Sequence, residues 1–160
     1  MSNTCCAGRD WADERFSPAM TQAFIKTRNA KWLYHAGWNW PEDRFSLAIT
    51  QTLIETRNAQ WLFFAGLRWP DRRYTPQIAQ ALAEMKNAEY PYYAGRDWSD
   101  ERHTDDVLLA LIKTGNRKYL CLARQHWPAK RASDALAEAL RKSGDDDWMA
   151  QAKASWRTLS

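Results

Sequence analysis

A tryptophan recurs along this chain at a constant interval of 29 residues. The series consists of Trp11, Trp40, Trp69, Trp98, Trp127 and Trp156. The surrounding sequence recurs with it, because AGRDWADERFSP returns as AGWNWPEDRFSL, AGLRWPDRRYTP, AGRDWSDERHTD and ARQHWPAKRASD. Self-similarity at a period of about 20 to 50 residues is typical of proteins built from stacked structural repeats. This interval therefore constrains the fold more than any other feature of the sequence.

Each repeat predicts two helices. A hydroxyl residue that can cap a helix follows each of the first five tryptophans: Ser17, Ser46, Thr75, Thr104 and Ser133. Apolar residues at i, i+4 spacing, such as Ile49 and Leu53, then define the buried stripe of a first helix, helix A, which we expect over 18–28 in the first copy. A break follows at Asn29, Asn58, Asn87, Asn116 and Asp145, residues that either adopt left-handed geometry or cap the aromatic-rich second helix, helix B. Pro91 is expected to distort the third copy.

The pattern predicts an all-α protein, a right-handed α-solenoid of about five helix-turn-helix repeats. One repeat domain is expected over 1–160, with units at 7–35, 36–64, 65–93, 94–122 and 123–151 and a partial unit at 152–160. Through AGxxW, Arg-aromatic-Ser/Thr-Pro and Asn-Ala-x-Trp, the architecture over 5–156 resembles the two-helix repeats of the HEAT-like and leucine-rich-variant kind. The resemblance is architectural, and it implies partner binding on a concave surface.

Composition restricts the location and the chemistry. No run of about 18 apolar residues occurs, and MSNTCCAGRDW lacks the basic and apolar segments of a signal peptide, so we expect a cytoplasmic protein without a membrane span. Cys5, Cys6 and Cys121 are too few for a disulfide framework, which favours a reducing compartment. Because there is no CxxC pair and the histidines are far apart, we expect no metal site and no cofactor.

The acidic and histidine positions do not predict catalysis. Three acidic residues of the first copy, Asp10, Asp13 and Glu14, return in the fourth as Asp97, Asp100 and Glu101. Their recurrence beside Arg15 and Arg102 indicates loop salt bridges or helix-dipole contacts, not a pair of catalytic carboxylates. The histidines His35, His103 and His126 occupy three different repeat positions, so no shared role emerges. We therefore expect that the protein is not an enzyme.

Columns that stay fixed between copies are interpreted first as structural. Besides the tryptophan, the fixed column is an arginine: Arg15, Arg44, Arg73, Arg102 and Arg131. We expect the tryptophan to fill the groove between repeats and the arginine to stack on it or to pair with a carboxylate. The alternative is a nucleic-acid-binding repeat protein whose arginine ladder contacts phosphates, although the net charge of +4 is spread thinly along the chain.

Variable columns of helix B supply the candidate binding residues. If columns 32, 33, 36 and 37 face inward, columns 31, 34, 35 and 38 face outward. The candidates are Tyr34, His35, Trp38, Phe63, Phe64, Leu67, Tyr92 and Tyr93, with Arg68 and Arg96 beside them. Aromatic residues and arginine are enriched at interface hot spots. The sequence thus favours a non-enzymatic scaffold, an adaptor, inhibitor or effector that binds another protein, while the competing interpretation makes these aromatics core between repeats.

The two ends of the chain carry further expectations. The chain opens partway through a helix B, at Cys5 and Cys6, and closes partway through another at Trp156. The untreated N-terminal edge leads us to expect an end-to-end homodimer. The fifth copy is more polar, with Arg141 at the position of Ile25, and this composition suits a terminal cap.

Overall fold

The computed structural model describes residues 17–132 and 134–143. Over these ranges the chain is all-helical, with nine α-helices, one 3-10 helix at Glu42–Arg44 and no strand. The α-helices are α1 (Pro18–Lys26), α2 (Ala30–Asn39), α3 (Leu47–Glu55), α4 (Ala59–Arg68), α5 (Pro76–Ala83), α6 (Glu89–Asp97), α7 (Asp105–Thr114), α8 (Arg117–His126) and α9 (Asp134–Lys142). The all-α class is therefore confirmed for these residues. Cys5, Cys6, Trp11, Trp156 and the partial unit at 152–160 lie outside them.

The predicted caps begin the helices. Ser17 accepts a hydrogen bond from the Met20 backbone N–H at 3.4 Å, and Ser46 accepts one from Ala48 at 3.3 Å. Thr75 and Thr104 also occupy N-cap positions. The Ser17 and Ser46 hydroxyls supply acceptors for N–H groups that the first turn of a helix leaves without a partner, whereas the Thr75 and Thr104 side chains make no such cap hydrogen bond.

The asparagine break caps helix B. The Asn29 side chain accepts from the Trp32 backbone N–H at 3.1 Å, and Asn58 accepts from Trp61 at 3.3 Å. Left-handed geometry lies one residue earlier, at Arg28 with a φ of 49°. Of the two roles considered for the asparagine, capping is the one observed, and α1 ends at Lys26, two residues before the predicted boundary at 28.

The third repeat departs locally from the others. Helix α6 begins at Glu89, and the Asn87 side chain accepts from the backbone N–H groups of both Glu89, at 2.9 Å, and Tyr90, at 3.3 Å. Pro91 is the third residue of α6, where its missing N–H would have no partner within the helix. The helix accommodates Pro91 because it lies in the first turn.

The helices form two rows. The helix A row contains α1, α3, α5, α7 and α9, and the helix B row contains α2, α4, α6 and α8. Within each row every helix contacts the next, and each helix B also contacts helix A of the following repeat. The core lies between the rows, where Ile49, Leu53 and Leu62 are fully buried.

The recurring tryptophan follows the last residue of one helix B and joins it to the helix B before it in the row. The buried Trp98 indole Nε1 donates to the Phe63 backbone oxygen at 3.0 Å. Its ring lies so close to Gly66 that a Cβ there would be 2.2 Å from the ring carbon Cζ2. The same donation occurs from Trp69 to Tyr34 and from Trp127 to Tyr92. The glycine of helix B thus leaves the space that this indole ring occupies.

The recurring arginine makes the second half of the joint. Arg102 donates from Nη1 to the Gly66 oxygen at 2.8 Å and from Nη2 to the Trp69 oxygen at 2.7 Å. Both carbonyls lie at the C-terminal end of α4, where the helix itself supplies no donor. Arg102 also pairs with Asp71, and its Cζ lies 4.8 Å from the centre of the Tyr74 ring. Arg73 and Arg131 repeat these carbonyl contacts.

Burial confirms the structural interpretation of the fixed columns. Four members of the arginine column are between 2% and 9% exposed: Arg44, Arg73, Arg102 and Arg131. A ladder of arginines presented to phosphates is therefore wrong for these four, because their side chains are buried. Arg15 lies outside the described residues. A loop salt bridge is likewise observed at Asp100, with Arg131, whereas Asp97 pairs with Arg96 inside the last turn of α6. Asp10, Asp13 and Glu14 are not among the described residues.

Candidate partner-binding face

The helix B row carries a patch of aromatic side chains that reach the surface. We call this patch the aromatic face and define it as His35, Trp38, Trp61, Phe64, Tyr90, Tyr93 and Tyr119. Trp38 is 46% exposed, and the other six are half-buried. The four helices of the row each contribute to the face, because positions three or four residues apart lie on one side of a helix.

The N-terminal part of the face is a cluster of rings from α2 and α4. His35 stacks on Trp38 with ring centres 6.4 Å apart and lies 5.9 Å from Trp61. Trp61 contacts Phe64 at 5.8 Å. Burial, with a smaller contribution from Lys31, lowers the pKa of His35, so the imidazole is neutral near pH 7. This cluster can therefore offer an apolar surface with few fixed charges.

The C-terminal part of the face is more polar. Tyr93 Oη donates to Glu89 at 3.5 Å, and Arg96 lies over the Tyr93 ring at 5.1 Å. Lys118 lies 5.2 Å from the centre of the Tyr119 ring. Burial, and after it the Glu89 carboxylate, raises the pKa of Tyr93 and of Tyr119, so both phenols remain protonated and able to donate.

Most of the predicted binding residues lie at the surface of this row. His35, Trp38, Phe64 and Tyr93 belong to the aromatic face, and Leu67 is half-buried beside them. Arg68 and Arg96 are exposed. The structure thus places seven of the ten predicted residues at or near one surface, on α2, α4 and α6.

The remaining column is buried. Tyr34, Phe63 and Tyr92 are 5%, 6% and 4% exposed, so the expectation that they face outward is wrong. Each packs against the next helix B, Tyr34 on Trp61 at 5.1 Å and Phe63 on Tyr90 at 6.0 Å. For this column the competing interpretation, core between repeats, is the correct one.

The same contacts explain which residues were missed. Trp61, Tyr90 and Tyr119 were expected to face inward, yet they are half-exposed on the aromatic face. Columns 32 and 34 flank the inward direction on opposite sides of helix B, so periodicity alone does not distinguish them. The deciding fact is the side on which the next helix B lies, and that is a tertiary feature.

The other reactive side chains of the described residues are not assembled into a site. Burial and the Arg131 charge lower the pKa of His103 to about 4, and its ring packs edge-on against Trp127. Burial raises the pKa of the Cys121 thiol, which opposes nucleophilic reactivity. Among residues 17–132 and 134–143, no group of three or more His, Cys, Asp or Glu side chains could hold a metal ion.

We next searched the helices for a membrane span and compared the chain with known proteins. In the described part of the chain, every helix is too short or too polar to cross a bilayer. Comparison with protein-family models, curated proteins and solved structures yields no match. The similarity that carries information here is the one between the chain's own repeats.

Proposed function

We propose that the chain is a right-handed α-solenoid of about five repeats that binds another protein through the aromatic face and acts as an adaptor, inhibitor or effector without enzymatic activity. The observation that carries this proposal is the exposure of Trp38, 46%, within an ordered cluster of aromatic rings. The recurrence of one tryptophan-arginine joint between successive repeats supports the solenoid.

The chemistry of the face suits a protein partner. Large aromatic rings bring much contact area, and indole and phenol groups add hydrogen-bond donors at the edge of that area. His35, Trp61 and Phe64 are already held by their neighbours, so binding orders few side chains. Arg68 and Arg96 flank the rings and can pair with carboxylates of the partner.

Nucleic acid is the second candidate, and the structure offers it a different set of residues. The four described arginines of the column are buried, so contacts would come from Arg68, Arg96 and Lys118, with stacking on exposed rings. Such binding weakens steeply with salt, because each phosphate contact releases a counterion. A tight interaction that barely changes between low and moderate salt would remove this candidate.

The test is affinity capture from a lysate of the source cells, treated with nuclease, with three baits. These are the wild-type chain, Trp38→Ala and Leu109→Ala. Leu109 is 45% exposed on the helix A row, so its truncation removes a similarly exposed apolar group far from the aromatic face. We expect one protein to be captured by the wild type and Leu109→Ala baits and lost with Trp38→Ala. Equal capture by all three baits would contradict the proposed face.

Unfolding must be measured on the same baits. Trp38→Ala should lower the free energy of unfolding by about 2 kcal/mol, clearly less than Trp40→Ala, because nearly half of the side chain stays in water. If Trp38→Ala and Phe64→Ala unfold the protein as severely as Trp40→Ala, both side chains belong to the core and the proposal fails. The expected end-to-end homodimer is a separate prediction, and a monomeric sedimentation profile at high concentration would count against it.

A further inference from the structure

The groove between α5 and α7 differs from the other grooves of the helix A row. One column of helix A carries an isoleucine in three described copies, Ile25, Ile54 and Ile112, each packed against the core. The third copy has Ala83 in this column. Ala83 lines a cavity of about 450 Å³ between the two helices, within the range of small-molecule sites. The shorter side chain leaves open a space at the position that isoleucine occupies elsewhere.

The charges around this groove also depart from the repeat. At the two preceding junctions an arginine pairs with a glutamate of the next helix A, Arg28 with Glu55 at 3.4 Å and Arg57 with Glu84 at 3.5 Å. At the third junction both positions hold lysine, Lys86 and Lys113, and both line the cavity. Among the described residues, neither lysine has an ion-pair partner.

The groove continues along the helices past Ala83 and Ala110, with polar side chains at its edges. A second depression of about 220 Å³ shares Ala83, Ala110 and Lys113 with the first and extends to Leu109, which is 45% exposed. Leu109 lies one helical turn before Lys113, about 6 Å along the axis. Lys86 thus lies at one end of the groove and the exposed Leu109 at the other, with Lys113 between them.

Two acidic side chains face this groove as well. The Glu84 carboxylate is engaged by Arg57 at 3.5 Å and by the Gln80 amide at 3.4 Å. Asp106 lines only the second depression, away from Lys86. The Glu84 carboxylate thus lines the cavity with Lys86 and Lys113 but pairs with Arg57, and both lysines keep their positive charge.

We propose that this groove binds a medium-chain carboxylate, with the carboxylate between Lys86 and Lys113 and the alkyl chain over Ala83 and Ala110 toward Leu109. A functional site is expected where one copy of a repeat lacks a stabilising contact that the other copies make. The ligand restores both missing interactions, a charge-assisted pair and apolar packing. The site lies on the helix A row and does not depend on the aromatic face.

Calorimetric titration with three probes tests the chemistry of the site. Octanoate has the carboxylate and the chain, acetate has the carboxylate alone, and octylamine has the chain with the opposite charge. We expect saturable binding of octanoate and at least about tenfold weaker binding of the other two, as the loss of a charge-assisted bond or of the buried chain implies. The proposal is overturned if octanoate binding does not saturate. It is also overturned if acetate or octylamine binds as tightly as octanoate.

Variants locate the site on the folded protein. Ala83→Ile restores the repeat's own side chain, and Lys113→Glu restores an ion pair with Lys86. Each is expected to weaken octanoate binding by about tenfold or more without lowering the melting temperature. The matched controls are Ala135→Ile and Lys31→Glu, at exposed positions on other helices. If octanoate binds Ala83→Ile and Lys113→Glu as tightly as it binds the two controls, its site lies elsewhere, for example on the aromatic face. That result refutes the assignment.

Discussion

Replacing Gly66 by alanine should destabilise the protein, although the same change at an ordinary exposed helix position is stabilising. In an exposed helix interior, glycine to alanine stabilises by about 1 kcal/mol, because alanine restricts the unfolded chain and favours the helix. Gly66 lies against the indole of the next repeat instead. A Cβ there would be 2.2 Å from Trp98 Cζ2 and 2.3 Å from Cε2. Since non-bonded carbons rest about 3.5 to 4 Å apart, the ring must move by more than about 1 Å.

The size of the effect follows from what holds the ring. Trp98 is 3% exposed, and its indole N–H donates to the Phe63 oxygen at 3.0 Å. Overpacking a tight contact costs about 1–3 kcal/mol, and weakening a buried hydrogen bond adds about 1 kcal/mol. After the favourable helix propensity of alanine is subtracted, we expect Gly66→Ala to lower the free energy of unfolding by about 1–3 kcal/mol.

A double-mutant cycle isolates this contact. Urea unfolding is followed by far-UV circular dichroism for the wild type, Gly66→Ala, Trp98→Leu and the double variant. In the Trp98→Leu background the clash is absent, so Gly66→Ala should be neutral or stabilising, with a coupling energy of about 2 kcal/mol. A Gly66→Ala protein that is more stable than the wild type, or a coupling near zero, would refute the reasoning.

Three further predictions concern the joints and the buried histidine. Arg102→Met removes the donors for two helix-end carbonyls and should lower the free energy of unfolding in urea by about 3 kcal/mol. Arg102→Lys should recover only part of this loss, because lysine lacks the planar fork of arginine. An Arg102→Met protein as stable as the wild type would contradict the joint. Arg57→Ala removes an exposed ion pair and should cost less than about 1 kcal/mol, less still in high salt. The pKa of His103 is lowered to about 4, chiefly by burial, with Arg131 lowering it further and Asp105 and Asp100 opposing. The unfolded state therefore binds more protons between about pH 6.5 and 4, and stability should fall as pH falls through this window, by about 1–2 kcal/mol after allowance for solvent at a half-buried ring. His103→Phe should remove that part of the pH dependence in acid titrations of the urea midpoint, and an unchanged slope would assign it to other groups.

The period of the sequence predicted the fold class and the parts of the joint. Constant spacing identified the tryptophan and arginine columns, and Ser17 and Ser46 marked helix starts that the structure confirms. The partners of Arg102 were not predictable in the same way, since they are backbone oxygens of Gly66 and Trp69. Carbonyls carry no sequence signal, so only the assembled repeat shows where they point.

The candidate face was predicted only in part, for a geometric reason. The helical period separated Leu33, which is fully buried, from Trp38, which is the most exposed aromatic of the face. The helical period did not show that Tyr34 is buried and Trp61 half-exposed. Which side of helix B faces the next helix B depends on how the rows pack. Similarly, Ala83 is visible in the sequence as a break in an isoleucine column, but the cavity beside it depends on the distance between α5 and α7.

The direction of the joint has a consequence for synthesis on the ribosome. Every described tryptophan-arginine joint reaches backward, and Arg102 closes the carbonyl of Gly66, which lies 36 residues earlier. At about 5 to 20 residues per second, a repeat waits roughly two to seven seconds for the residues that lock it. Until then the last carbonyl oxygens of its helix B lack the arginine donors, and the space beside its glycine lacks the indole ring. The chain is therefore expected to become rigid from its N-terminal side, one repeat at a time, with the newest unit always the least protected.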